Sequence, residues 1–126
     1  MATLSEVMRT NFITAAPEDT LGEVAEKMTA LNVGSVVVKD FGTLIGILTE
    51  RDLLKAMAAR VHSSEARVRQ FMTVDPVTAP ADMDCEDAER LMLDHGFRHL
   101  PVIDGDDVVG VVSLRRVVAA TKTATA

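Results

Sequence analysis

The sequence repeats itself at an offset of 64 residues, so the chain has to fold as two copies of one unit. The segment "SVVVKDFGTLIGILTERDLL" (35–54) aligns without a gap on "HLPVIDGDDVVGVVSLRRVV" (99–118). Identical residues recur at this offset along the chain: Met8 and Met72, Thr14 and Thr78, Met28 and Met92, Val38 and Val102, Asp40 and Asp104, Gly46 and Gly110, Arg51 and Arg115. A period of this length predicts a duplicated supersecondary unit.

Each half contains the same order of predicted elements. "TLGEVAEKMTALNV" and "CEDAERLMLDHG" place their apolar residues on one helical face. Paired β-branched runs that are separated by turn residues follow in each half, which is typical of hairpin strands. A short strand near "NFIT" or "DPVT" begins each half, and a second helix begins at Thr49 or Ser113. The order strand, helix, strand, strand, helix thus occurs twice, and it predicts an α/β (α+β) fold of two pseudo-symmetric β-α-β-β-α units.

The repeat also predicts domain limits. We place the first unit at residues 7–60, a polar linker at 61–70, the second unit at 71–120 and a frayed tail at 121–126. One unit alone has a small sheet with helices on one face, so its core would be marginal. The two units are therefore expected to pack through their sheets and to leave clefts in which a small ligand can bind.

The composition limits the kinds of partner. Of the 126 residues, 48% are apolar, which is enough for a packed core, but 3% are aromatic, so platforms for base stacking are scarce. The formal net charge of −6 disfavours general attraction to nucleic acid or anionic lipid. The single cysteine, Cys85, cannot form an internal disulfide, and no apolar run reaches the roughly 18 residues that cross a bilayer. We expect a soluble, cytoplasmic protein with no nucleic-acid or membrane partner.

Together these features resemble a tandem pair of CBS domains, the modules named after cystathionine β-synthase. The resemblance rests on two copies of a helix, a strand ("GSVVV" or "RHLPV"), a turn, and "GILTERD" or "GVVSLRR", and it covers the chain from about Val7 to Ala120. It implies a Bateman module, in which two CBS units leave two related ligand clefts and the chains commonly dimerise. Members commonly bind AMP, ADP, ATP or S-adenosylmethionine. With no enzyme or transporter domain beside it, the sequence looks like a stand-alone sensor or adaptor.

The resemblance assigns ligand contacts to Thr49 and Asp52. In nucleotide-binding members the hydroxyl and the acid of a T-x-x-D motif contact the ribose and the neighbouring phosphate, and a carboxylate can accept from both ribose hydroxyls. The same pattern is typical of a helix start, with a capping residue and an acid in the first turn. The two interpretations are compatible, because a capping side chain can lie at the edge of a cleft.

The resemblance also implies that the other unit completes each cleft. For the Asp52 cleft the positions that would line the adenine and reach the phosphates are Pro76, Val77, Phe97, Arg98 and His99. Arg98 and His99 would supply one permanent and one titratable positive charge. A solvated basic patch is the alternative interpretation of this pair. Arg115 and Arg116 are candidates for further phosphate contacts.

The second cleft departs from the family pattern. Arg116 stands where the first copy has its acid, and a guanidinium cannot accept a hydrogen bond from a ribose. The residues that would face Arg116, around Ile13 and in the segment 33–35, carry no charge. We therefore predict one nucleotide site per chain, centred on Asp52.

The other reactive side chains do not predict catalysis or metal binding. Most of the methionines lie at apolar helical positions and are predicted to be core residues. Cys85 lies at a helix start with no identifiable base, and His95 lies at a helix end. No set of acid, base and nucleophile can be named, and no metal-ligand motif is present in the sequence.

The sequence thus predicts a non-enzymatic regulatory module, a homodimer that binds AMP, ADP or ATP between its CBS units. Two alternatives stay open. One is a dimerisation or interaction module without a ligand, which acts on an unidentified protein partner. The other is a binder of S-adenosylmethionine or methylthioadenosine.

Overall fold

The computed structural model describes residues 2–125, and the predicted α+β fold of two repeated units is confirmed. The first unit is Phe12–Pro76; the second unit combines the chain before Phe12 with the chain after Pro76. The helices and strands follow in chain order: α1 (Leu4–Val7), β1 (Thr14–Ala15), α2 (Leu21–Leu31), β2 (Ser35–Asp40), β3 (Thr43–Thr49), α3 (Glu50–Ala58), α4 (Val68–Phe71), β4 (Thr73–Val74), β5 (Ala79–Pro80), α5 (Cys85–His95), β6 (His99–Asp104), β7 (Asp107–Ser113) and α6 (Leu114–Thr125).

The first unit has a four-stranded sheet in the order β1-β2-β3-β4. β1 is parallel to β2, and the other neighbours are antiparallel. Its core lies between one face of this sheet and the helices α2, α3 and α4, where Val24, Val36 and Leu48 are almost wholly buried. The second unit has a three-stranded sheet in the order β5-β6-β7, and Met92, Leu100 and Val112 fill the equivalent core.

Helix α2 shows how local sequence fixes an element boundary. Thr20 Oγ1 accepts a hydrogen bond from the backbone N–H of Glu23 (3.2 Å), and the Glu23 carboxylate accepts from the backbone N–H of Thr20 (3.3 Å). This capping box satisfies two N–H groups that the helix itself cannot. The hydrogen bond from the Thr20 side chain also lowers the pKa of the Glu23 carboxyl below its ordinary value. The helix ends at Asn32, which has a left-handed backbone with a φ of 53°.

Each unit is closed by a short segment that begins outside the predicted repeat limits. We call Thr3–Arg9 the N-terminal strap and Arg67–Thr73 the central strap. Leu4, in the N-terminal strap, is wholly buried in the core of the second unit, and Val68, in the central strap, is wholly buried in the core of the first. The strap that precedes the first repeat therefore completes the fold of the second.

The two straps are held by the same hydrogen bonds at the 64-residue offset. Leu4 N–H donates to Met83 O and Val68 N–H to Asp19 O, each at 2.9 Å. Further along, Arg9 forms a β-bridge with Val111. The corresponding pairing in the first unit joins β4 to β3. The duplication thus extends to segments where the sequence identity is thin.

These contacts differ from the domain limits that the sequence predicts. The limits 7–60 and 71–120 stay predictions about the repeats, but the structure places Ala66 and Val68, from the predicted linker 61–70, in the core of the first unit. Helix α6 continues through the predicted frayed tail to Thr125, and Ala126 lies outside the described residues. The central strap is not recognisable from the sequence, because its composition is polar and a helix this short needs few apolar residues to anchor it in the core.

The loop of the hairpin between β2 and β3 contains a residue with a strained backbone. Asp40 pairs with Thr43, so the loop consists of Phe41 and Gly42, and both have positive φ (51° and 79°). This is the φ pattern of a type I′ turn, which favours Asn-Gly because a bulky residue is strained at positive φ. Phe41 is also 100% exposed, so packing does not offset the strain. The second repeat has Gly105 at this position.

Phe41→Asn is therefore expected to raise the free energy of unfolding by about 1 kcal/mol, because asparagine tolerates the left-handed backbone. Urea denaturation measures the change. Phe41→Ser is the matched control, since it removes the same aromatic ring without this backbone preference, and we expect a smaller gain. Equal effects in the two variants would contradict the backbone explanation.

A strand glycine in each unit makes room for a strap methionine. A Cβ added at Gly110 would lie 2.5 Å from Met8 Sδ and 2.7 Å from Met8 Cγ. A Cβ added at Gly46 would lie 2.7 Å from Met72 Sδ, and also 2.9 Å from the backbone oxygen of Thr73. Such distances are too short for any real contact, so a larger residue on either strand would displace the strap.

Gly110→Ala is expected to lower the free energy of unfolding by about 1–3 kcal/mol through overpacking. Adding Met8→Ala removes the atoms in the way, so the double variant should be more stable than the sum of the single effects predicts. Gly46→Ala with Met72→Ala is the matched cycle. It should show a smaller rescue, because the Thr73 oxygen stays in place.

Candidate functional site

The start of helix α3 carries the two residues of the predicted ribose site. Strand β3 runs directly into α3, and Thr49 is the N-cap residue. Asp52 Oδ2 accepts from Thr49 N–H (2.8 Å) and Thr49 Oγ1 (3.0 Å), while Asp52 N–H donates to Thr49 Oγ1 (3.4 Å). This is a capping box. The capping interpretation of the motif is therefore confirmed, and the ligand interpretation stays a prediction.

The box uses one oxygen of the Asp52 carboxylate and leaves the other available. Within the part of the chain that the structure describes, Asp52 Oδ1 accepts no hydrogen bond. Asp52 is half-buried, so its position is fixed by the box while part of its surface remains accessible. A carboxylate oxygen held in this way is a fixed acceptor for a hydroxyl group of a ligand.

The residues of the first unit that lie across from Thr49 at the beginning of β2 are neutral. Ser35 is the strand partner of Thr49, and Gly34 O accepts a hydrogen bond from the backbone N–H of Glu50 (3.0 Å). Ser35 is buried, with 9% of its surface exposed. The beginning of β2 is thus tied to the beginning of α3, and it supplies no positive charge there.

The second unit has the same geometry with the opposite charge. His99 pairs with Ser113, and Arg98 O accepts from the backbone N–H of Leu114 (2.8 Å). Ser113 Oγ accepts from the backbone N–H of Arg116 (3.3 Å). Since Arg116 replaces the acid of the first copy, it cannot complete a capping box, and α6 begins with half of one.

The structure brings four basic residues to this end of the second unit. Arg98 and His99 lie where β6 begins, and Arg115 and Arg116 lie in the first turn of α6, which contains no acid. The three arginines are exposed, and His99 is half-buried. Positive side chains near a helix N-terminus are unfavourable, so an anion at this end would be favourable.

The other predicted lining residues have different surroundings. Pro76 is the last residue of the first unit, and Val77 is the first of the segment that returns to the second unit. Val77 is 37% exposed. Phe97 packs against the core of the second unit and lies 5.8 Å from the ring of His95, measured between ring centroids. The grouping of these residues around Asp52 stays a prediction.

The features that would indicate catalysis or metal binding are few. Cys85 is buried at the start of α5, and burial raises the pKa of its thiol above the ordinary value, so the thiolate nucleophile is disfavoured. Across residues 2–125, no group of three or more His, Cys, Asp and Glu side chains is arranged to hold a metal ion. Within the same range, no helix is both long and apolar enough to cross a bilayer.

A family model for the CBS domain matches the chain twice, over residues 4–59 and 68–122. The chain belongs to the CBS domain family. Both matches take in residues of the straps, in agreement with the extended hydrogen-bond symmetry. The CBS domain-containing protein YhcV of Bacillus subtilis is 34% identical over 114 residues, which are 90% of this chain and 81% of YhcV.

Solved structures of CBS domain proteins have the same fold. The chain is similar to CBSX2 in complex with AMP, with 26% identity, a TM-score of 0.79 and complete coverage of both chains (100% of each). It is also similar in fold to the CBS domain pair of MJ0100 in complex with 5′-methylthioadenosine and S-adenosyl-L-methionine. That likeness has a TM-score of 0.88 at 23% identity, over 100% of this chain and 99% of the other.

The structure shows the neighbours of each predicted motif within its own unit, and the assignment of residues to the two clefts stays a prediction. Sequence reasoning assigned Gly34 and Ser35 to the Arg116 cleft, and within the first unit these two residues lie directly beside Thr49. The hairpin pattern in the sequence places the beginning of β2 near Thr49, but a β-bulge between Val38 and Lys39 decides that Ser35 is the partner. In the first CBS domain the beginning of β2 thus lies beside the beginning of α3, and in the second the beginning of β6 lies beside the beginning of α6.

Proposed function

We propose that this CBS pair is a non-enzymatic regulatory module that binds an adenosine nucleotide, AMP, ADP or ATP, at one site per chain. The observation that carries the proposal is the Asp52 carboxylate, which is held by Thr49 and keeps one oxygen available for a ribose hydroxyl. The family membership and the AMP complex of CBSX2 support the ligand class.

The proposed site joins two groups of residues that each have a defined chemistry. Thr49 and Asp52 supply the ribose contacts. Arg98 and His99 supply positive charge for the phosphates, with Arg115 and Arg116 as additional contacts, and guanidinium groups bind phosphate oxygens strongly. Pro76, Val77 and Phe97 line the base. Since Arg116 cannot accept from a ribose, the equivalent site around Ser113 is proposed to stay empty.

Isothermal titration with AMP, ADP, ATP and S-adenosylmethionine tests the proposal. We expect saturable binding of at least one adenosine nucleotide with one site per chain. Absence of binding near millimolar concentration, in protein that is folded by circular dichroism, would overturn it. Two sites per chain would show that the Ser113 cleft also binds.

The main alternative ligand is S-adenosylmethionine or methylthioadenosine, which would use Asp52 in the same way. The fold-level likeness to MJ0100 motivates this alternative. Arg98→Ala separates the two ligand classes, because it removes a phosphate contact and should weaken AMP much more than uncharged methylthioadenosine. Equal loss for both ligands would count against a phosphate role for Arg98.

A second candidate function is homodimerisation, or docking of a protein partner, without a ligand. It is favoured by an exposed apolar stripe on α3 and after it, where Leu54, Met57 and Val61 are 66%, 75% and 38% exposed. Such a stripe on one helix is typical of an interaction surface. We propose that it forms the contact of a homodimer, and light scattering with Leu54→Lys tests this. A dimeric wild type and a monomeric variant would support it.

A further inference from the structure

We infer that Met8 and Met72 are paired peroxide-sensitive modification sites, and that their oxidation releases the two straps. The inference rests on their place in the fold and does not depend on the proposed nucleotide site. Each methionine directly follows the helix of its strap, and each caps that helix with a backbone N–H bond, Met8 to Leu4 O and Met72 to Val68 O.

Both sulfur atoms lie against a strand that has no space for another atom. An added methyl carbon at Gly110 would be 2.5 Å from Met8 Sδ, and one at Gly46 would be 2.7 Å from Met72 Sδ. The glycine therefore provides the slot into which the thioether fits. Because the same slot occurs at the same repeat position in both units, it is a property of the fold and not of one local loop.

The modification is the ordinary reaction of a thioether with hydrogen peroxide. A lone pair of Sδ attacks one peroxide oxygen, the S–O bond forms as the O–O bond breaks, and the second oxygen leaves as water after proton transfer. The sulfur is oxidised and the peroxide is reduced. The product is a polar, bulkier sulfoxide. On the glycine side its oxygen would overlap the strand, and a polar oxygen held there without a donor is unfavourable.

Exposure predicts the order in which the methionines react. Met57 is 75% exposed within the chain and should be oxidised first, but it belongs to neither strap, so exchange in the straps should not change. Met8, Met72 and Met83 are half-buried and come next, and of these three only Met8 and Met72 belong to a strap. Met28 and Met92 are buried, with 5% and 0% exposed, and should react last. Structural change is therefore expected to follow the second stage of oxidation and not the first.

Release of a strap would break a defined set of backbone hydrogen bonds. The N-terminal strap is held by Leu4 N–H to Met83 O and by Ser5 N–H to Ala81 O, both 2.9 Å, and by the reciprocal bonds of Arg9 with Val111. Oxidation at Met8 should therefore expose these amides to exchange with solvent, whereas the strands β6 and β7 keep their mutual hydrogen bonds.

The test combines peptide mass spectrometry with hydrogen exchange on the full chain after treatment with hydrogen peroxide. We expect exchange in residues 3–9 and 67–73 to accelerate by about tenfold or more once Met8 and Met72 carry sulfoxide. Met8→Leu/Met72→Leu should keep native exchange in both straps under the same treatment. Met57→Leu/Met83→Leu, the matched control, should behave like the wild type.

Enzymatic reduction of the sulfoxides should restore slow exchange in the straps. Three results would overturn the inference: native exchange in oxidised wild type, equal strap release in Met8→Leu/Met72→Leu, or unreacted Met8 and Met72 when Met57 and Met83 are fully oxidised. The leucine variants conserve volume, so they are expected to fold.

Discussion

Leu4→Ala is expected to lower the free energy of unfolding by about 2–5 kcal/mol, because Leu4 is wholly buried and alanine would leave a cavity. Leu4 lies in a helix of only four residues, Leu4–Val7, which has no apolar periodicity. Its side chain nevertheless packs with Ala79, Cys85 and Leu100 in the core of the second unit. The effect of a change at residue 4 should therefore be found far along the chain.

Hydrogen exchange measured residue by residue shows which unit loses stability. We expect faster exchange in β6 and β7 of the Leu4→Ala variant, with β2 and β3 much less affected. Val68→Ala, at the equivalent position of the central strap, should show the reverse distribution. Leu93→Ala is the control for a leucine of the second unit that is 60% exposed, and it should change stability by less than about 0.5 kcal/mol. Loss confined to the first unit in Leu4→Ala would contradict the strap arrangement.

Asp52→Ala is expected to weaken nucleotide binding by roughly ten- to more than a hundredfold, since a hydrogen bond to a charged group contributes about 1.5–3 kcal/mol. The variant also loses the capping box of α3, so a fall in affinity alone would not separate the two roles. The chain contains a matched control. Glu23 forms the same box with Thr20 at the start of α2, in the same unit.

Comparison of Asp52→Ala with Glu23→Ala separates capping from ligand binding. Both variants should be less stable than the wild type, because each loses the side chain that completes a capping box. Calorimetric titration with AMP or ATP should then show a large loss of affinity in Asp52→Ala and nearly normal affinity in Glu23→Ala. Similar affinities in the two variants would leave Asp52 with a structural role and remove the main support for the proposed site.

The stability conferred by the α2 box also has a defined pH dependence. Because the hydrogen bond from Thr20 lowers the pKa of Glu23 in the folded state, this contribution is present above the pKa of the unfolded chain and is lost as pH falls through the folded value. The stability difference between wild type and Glu23→Gln should therefore shrink in acid. Denaturation at two acidic pH values measures this, and a difference that grows in acid would contradict it.

Periodicity and the internal repeat predict most of the fold. The amphipathic stripes of α2 and α5 and the paired β-branched runs are long enough to identify, and Thr49 and Ser113 mark the helix starts correctly. The straps could not be predicted in this way. A helix as short as Leu4–Val7 has no measurable period, and one buried leucine gives no pattern. Met8 and Met72, which are identical at the 64-residue offset, are the feature of the sequence that indicates the duplication of these segments.

The neighbours of Thr49 illustrate a second limit. Counting back from the hairpin turn, in which Asp40 pairs with Thr43, would pair Gly34 with Thr49. The structure has a β-bulge between Val38 and Lys39, which shifts the register so that Ser35 is the partner. A shift of this size moves every later side chain to the other face of the sheet. Bulges depend on the local twist and packing, which a single sequence does not display.

The positions of the two straps along the chain impose an order on folding during synthesis. Once the ribosome has made residues 12–76, the first unit has its complete core, including the central strap. The N-terminal strap is made before the first unit, yet Val111, its bridge partner, is among the last of the described strand residues to emerge. Since domains form from the N-terminus as the chain grows, Leu4 must stay exposed until the second sheet is made. A segment that is synthesised ahead of the first unit thus reaches its native contacts only after that unit has folded.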